Sequence, residues 1–138
     1  MMIVADTGAV LSLLDADDRH HNVLRGLFEQ DPSAWILPWA ILPEVDYLAR
    51  TQLGTKVAEA FAQDLVTGAF IVDWGKHSDL NRAHELNRRY RSLGFGLVDG
   101  VVMAVAERRG AKAIATLDLR HFGAVRLRRE VRLLPRDL

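Results

Sequence analysis

Short apolar runs alternate along the chain with stretches whose apolar residues recur at helical spacing. Ile3-Val4-Ala5 reads as a buried strand, and Asp6-Thr7-Gly8 leads out of it into a helix over residues 9–14. Val23, Leu24, Leu27 and Phe28 give residues 20–30 the rhythm of an amphipathic helix, which Asp31-Pro32-Ser33 breaks. Residues 35–37 predict a second strand, 40–50 and 55–66 two helices joined at Gln52-Leu53-Gly54, and 69–72 a third strand. Leu80, Ala83, Leu86, Asn87 and Tyr90 share one face of a helix over 79–91. Val98, Val101, Val102, Val105 and Ala106 mark another, with Gly110 as its C-terminal cap. A fourth strand is expected at 113–116 and a fifth at 125–127 or 131–133.

Strands alternating with helices imply an α/β fold, a mostly parallel sheet with right-handed crossovers. Such sheets bind ligands beyond the carboxyl ends of their strands, where Asp6 and Asp118 are expected. At 138 residues, with no linker or internal repeat, the chain is expected to form one domain over 1–138. No apolar run reaches the ~18 residues of a membrane span and the first residues lack a signal-peptide pattern, so a cytoplasmic protein is expected. Zero cysteines exclude disulfides and thiolate metal sites, leaving carboxylates and five histidines as candidate ligands. The net charge of zero argues against coating nucleic acid by bulk electrostatics. Its distribution is uneven: residues 1–106 carry 9 Lys and Arg against 14 Asp and Glu, and residues 107–138 carry 9 against 4.

Four acids stand out against this pattern: Asp6 after the first strand, Glu44 in a helix, Asp99 opening the valine-rich helix, and Asp118 after the fourth strand. Carboxylates beside apolar segments cost desolvation energy unless paired, and a hard cation pairs with several at once. Glu44 has Ile41, Tyr47 and Leu48 at i−3, i+3 and i+4, which places it with the apolar face, whereas Asp46 faces out towards Arg50. Singly, each acid has a structural reading: Asp6 and Asp99 as helix caps or first-turn acids, Glu44 as a dipole partner beside Pro43, and Asp118 as a turn residue. Their joint placement favours one cleft. The histidines form no pair and default to the surface, while Trp35, Trp39 and Trp74 read as core or as stacking platforms.

The strand ending in Asp6-Thr7, the helix around Glu44, the segment Leu97-Val98-Asp99-Gly100-Val101-Val102-Met103-Ala104-Val105-Ala106, and Thr116-Leu117-Asp118 followed by Phe122 together resemble the PIN-domain ribonucleases. Within them the chain is similar to the VapC-type toxins of bacterial toxin–antitoxin pairs. The resemblance implies a single-domain α/β/α sandwich and an endoribonuclease in which Mg²⁺ or Mn²⁺, held by Asp6, Glu44, Asp99 and Asp118, activates a water. It also implies dimerisation and a VapB-type antitoxin partner. Thr116 would support a metal water or Asp118, and Thr7 would contribute its backbone N–H. Arg88, Arg89, Arg91 and Arg120, with Arg126, Arg128 and Arg129 further on, are candidates for RNA contact, because a guanidinium donates to phosphate in pairs.

Two other classes compete. A non-catalytic binding module of the same fold would keep its acids as caps. A phosphotransfer domain would use Asp6 as nucleophile, but Asp6-Thr7-Gly8 lacks a close second acid, and Lys112 precedes its strand rather than following it.

Overall fold

The computed structural model describes residues 1–138. Five short strands form one parallel sheet: β1 (Ile3–Ala5), β2 (Trp35–Pro38), β3 (Ile71–Asp73), β4 (Ala113–Ala115) and β5 (Arg132–Leu134), in the order β3-β2-β1-β4-β5. Ile3 pairs with Trp35 on one side and Ala113 on the other, so β1 is central and all three of its residues are buried. Seven helices flank the sheet: α1 (Thr7–Leu14), α2 (His21–Gln30), α3 (Leu42–Gln52), α4 (Thr55–Thr67), α5 (His77–Arg89), α6 (Gly96–Arg109) and the single turn α7 (Leu119–Phe122). This is the parallel α/β sheet that the alternation predicts, with the helices of the sandwich that the resemblance implies, and no helix is long and apolar enough to cross a membrane.

Boundaries moved where side chains took over from periodicity. The third strand starts two residues later than expected and ends one later, because Ile71, Val72 and Asp73 pair with Ile36, Leu37 and Pro38. Of the two candidates for the fifth strand, residues 125–127 form none, and Arg132–Leu134 pairs with Ala113–Ala115. Thr116 lies just past β4, and Arg91 lies outside α5 in a separate helical turn. Gly110 caps α6 as expected, at φ +64.

Helix α6 was expected to show one apolar stripe. Instead every residue from Gly100 to Ala106 is buried, because α6 is covered on more than one side, by the sheet and by α5. The α5 contact needs Gly100: a Cβ there would lie 2.9 Å from the Ala83 Cβ and 2.9 Å from Asn87 Nδ2. Asn87 also closes a pair of hydrogen bonds with Gly96, donating to its carbonyl at 2.8 Å and accepting from its N–H at 3.0 Å. The start of α6, and so Asp99, is thereby tied to α5. At the other end of α6, Arg108 donates to Asp79 at 2.8 Å and to Asp73 at 2.6 Å, and Arg109 also donates to Asp73. Burial alone would raise the Asp73 carboxyl, but the hydrogen bonds from Arg108, Arg109 and the Gly75 N–H hold it at about 2. Much of the basic C-terminal segment is therefore occupied internally, since Arg136 also pairs with Asp137 and Arg132 donates to the Asp137 carbonyl.

Candidate metal centre

Asp6, Glu44, Asp99 and Asp118 line one cleft of about 350 Å³, together with Thr7, Gly8, Leu11, Leu48 and Leu117. Asp6 and Asp118 reach it from the ends of the adjacent strands β1 and β4, and Asp99 from the first turn of α6. A larger recess of about 540 Å³ is lined mostly by hydrophobic residues, among them Met103, Ile114, Phe122 and Leu133, and Glu130 is its only acid.

The capping readings and the cleft reading hold together. Asp6 Oδ1 accepts from the Ala9 N–H at 2.8 Å and so caps α1, while its Oδ2 accepts from the Thr116 hydroxyl. Asp118 Oδ1 caps α7 by accepting from the His121 N–H at 3.1 Å. Thr116, fully buried, links the two acids: its hydroxyl donates to Asp6 and accepts from the Asp118 backbone N–H at 3.0 Å. Its partner at Asp118 is thus the main chain rather than the carboxylate. The Thr7 hydroxyl is buried without a partner beside these acids.

Glu44 corrects the sequence expectation. The buried stripe of α3 runs through Val45 and Ala49, continuing from Ile41, and Glu44 lies off it and is exposed. Tyr47, expected to share the apolar face, is 66% exposed. Glu44 reaches the cleft along its open rim, a cheaper place for a carboxylate. Asp46 behaves as expected, pairing with Arg50 at 3.1 Å on the surface.

Two histidines also depart from the surface default. His21 is buried and its Nδ1 bonds the Ser12 carbonyl at 2.9 Å. His121 joins the acids: its Nδ1 lies 2.8 Å from Asp118 Oδ2 and 3.6 Å from Asp99 Oδ2. The signal was present in the i, i+3 spacing of Asp118 and His121, which puts both on one face of a helical turn. Among the tryptophans, Trp35 is core and Trp39 half-buried, but Trp74 is 76% exposed.

The electrostatics show strain among the acids. Burial, and then the nearby charges of Asp99 and Asp118, push Asp6 up to about 7, against hydrogen bonds from Thr116 and Ala9. Burial first, then the charge of Asp118, push Asp99 up to about 6, with Glu44 adding to the rise and His121 opposing it. A cation removes both repulsions. The oxygen-rich donor set and the buried, unpartnered Thr7 hydroxyl fit a divalent ion, and Asp99, Asp118 and His121 bring ligand atoms within 4.8 Å of one another.

Residues 3–127 match the PIN domain family model, and the chain belongs to that family. Over 124 residues it is 27% identical to ribonuclease VapC26 of Mycobacterium tuberculosis, covering 90% of this chain and 92% of that protein. Its structure is similar to that of Mycobacterium tuberculosis VapC20, described as a sarcin–ricin loop cleaving toxin, with a TM-score of 0.76 and 22% identity over 92% of this chain and 99% of that one. It is also similar to a DNA-bound VapBC from Salmonella typhimurium, with a TM-score of 0.72 and 18% identity over 96% of each chain.

Proposed function

We propose that the protein is a metal-dependent endoribonuclease acting as the toxin of a toxin–antitoxin pair. The observation that carries this reading is the convergence of Asp6, Glu44, Asp99 and Asp118 on one cleft in a chain that belongs to the PIN domain family. An RNA phosphodiester is an anion, and a cleft holding four carboxylates repels it unless a cation lies between them. Asp6, Asp99, Asp118 and Glu44 are the residues that would hold Mg²⁺ or Mn²⁺, directly or through water. The ion, when bound, supplies Lewis acidity towards the phosphate and lowers the pKa of a coordinated water. Thr116 fixes the orientation of Asp6 and of the Asp118 backbone.

Arg88, Arg89 and Arg91 line an exposed recess and make no ion pair, and Arg120 and Arg126 are likewise exposed and unpaired. These side chains are free to carry RNA phosphates. A VapB-type antitoxin and a second copy of the chain are the protein partners this reading supplies, since similar structures include VapBC complexes.

The test is cleavage of total cellular RNA by the purified chain with Mg²⁺ or Mn²⁺, with chelator, and with Asp99→Asn. Discrete cuts that require metal and fall by at least about 100-fold in the folded variant are expected. Equal cutting by the variant would refute the site assignment. No cutting by any sample, with metal binding also absent, would favour the non-catalytic module.

A further inference from the structure

We propose that His121 is itself a ligand of the metal, through Nδ1, so that the centre is mixed carboxylate and imidazole and takes Mn²⁺ in preference to Mg²⁺. This rests on the reading of the cleft as a metal site. Nδ1 is buried and lacks an aligned hydrogen bond, although Asp118 Oδ2 lies 2.8 Å away. A histidine present only to balance charge would donate along that contact. A nitrogen this close to two carboxylate oxygens, without an aligned bond to Asp118, is placed as a member of a donor set.

The spacing agrees. Around a divalent ion with bonds of about 2.1 Å, neighbouring octahedral ligands sit about 3 Å apart and opposite ones about 4.2 Å. The separations from Nδ1 are 2.8 Å to Asp118 and 3.6 Å to Asp99, and all three ligand atoms fall within 4.8 Å of one another. The ring is also held in place. Phe95, buried, packs on it with centroids 6.1 Å apart, and the backbone N–H of His121 donates to Asp118 Oδ1, which fixes the main chain that carries the ring. None of the other four histidines contacts a cleft carboxylate, and His21 is committed to the Ser12 carbonyl.

The choice of ion follows from ligand chemistry. Mg²⁺ takes oxygen donors and gives up its waters reluctantly, whereas Mn²⁺, which shares those oxygen donors, is a first-row transition ion and accepts an imidazole nitrogen in its shell more readily than Mg²⁺ does. Replacing one oxygen by Nδ1 therefore raises affinity for Mn²⁺ more than for Mg²⁺.

The experiment is pulsed electron paramagnetic resonance of Mn²⁺ bound to the full chain, unlabelled and labelled with ¹⁵N-histidine, alongside Mn²⁺ and Mg²⁺ titrations of wild type, His121→Gln and Asp99→Asn. Direct nitrogen coupling that changes with the label and vanishes in His121→Gln is expected, with Mn²⁺ affinity falling at least about tenfold and Mg²⁺ affinity by less than about threefold. Bound Mn²⁺ without nitrogen coupling, or full Mn²⁺ affinity in His121→Gln, would overturn the proposal while leaving the carboxylate site standing, which Asp99→Asn checks separately. Failure of the wild type to bind either ion would remove both. Should His121→Gln not fold, the labelled wild-type spectrum decides alone.

Discussion

Asp6 is the most heavily loaded residue of the chain. It caps α1, accepts from Thr116 and faces the cleft, all from a side chain that is 5% exposed. Its folded pKa of about 7, and that of Asp99 near 6, lie above the ordinary 3.8, so between these values the folded state binds more protons than the unfolded one. Their favourable contribution is complete below about pH 4 and is lost as pH rises through 6 to 7. Thermal unfolding in chelator should therefore show a midpoint several degrees lower at pH 7.5 than at pH 5, with added Mn²⁺ recovering most of the difference. A midpoint that rises with pH in chelator would contradict this. Asp6→Asn keeps a capping oxygen and deletes the charge, so in chelator at pH 7.5 it should be at least as stable as wild type while cleaving no RNA. Thr116→Val has nearly the same shape but strands the Asp118 N–H and frees Asp6, and should cost about 1–3 kcal/mol in denaturant unfolding and at least about tenfold in cleavage.

Helix α6 joins two kinds of carboxylate setting, with Asp99 at its first turn facing Asp118 and His121 and Arg108 near its last turn answering Asp73 and Asp79. Arg108→Ala leaves two acids, 4% and 2% exposed, short of their partner and should destabilise the fold by about 3–5 kcal/mol in a urea titration. A cost below 1 kcal/mol would show that Arg109 alone satisfies Asp73. The elements themselves were largely legible in the sequence, because strand runs, helical stripes and the Gly110 cap are local signals. The three acids at the first strand's end, at the start of the valine-rich helix and past the fourth strand were legible for the same reason. Glu44 was placed on the wrong face because its neighbours Tyr47 and Leu48 are apolar yet not buried, so helical periodicity alone pointed inward. Asp73, Asp79 and Arg108 were missed because their partners lie on other elements, as far as 35 residues away in the case of Asp73 with Arg108, and although Asp118 stands three residues before His121, its second carboxylate, Asp99, lies 22 residues back on α6. No local window carries such a pairing.

Across the whole molecule a neutral net charge conceals two unlike regions, an acidic cleft and a set of exposed arginines left over after Arg108, Arg109 and Arg136 have found acids. Replacing Arg88, Arg89 and Arg91 together by Glu should weaken RNA binding by at least about tenfold and flatten its salt dependence, with the fold and metal affinity unchanged. An unaltered salt slope would move the RNA path elsewhere, towards Arg120 and Arg126. The cleft is also assembled from distant parts of the chain: the Thr116 hydroxyl reaches back to Asp6 across 110 residues, and the Lys112 backbone N–H donates to the Met2 carbonyl to seat β4 beside β1. Chains grow at about 5–20 residues per second and such distant pairings close late. A growing chain therefore carries Asp6 through more than a hundred further residues of synthesis before Thr116, its hydrogen-bond partner, exists to hold it.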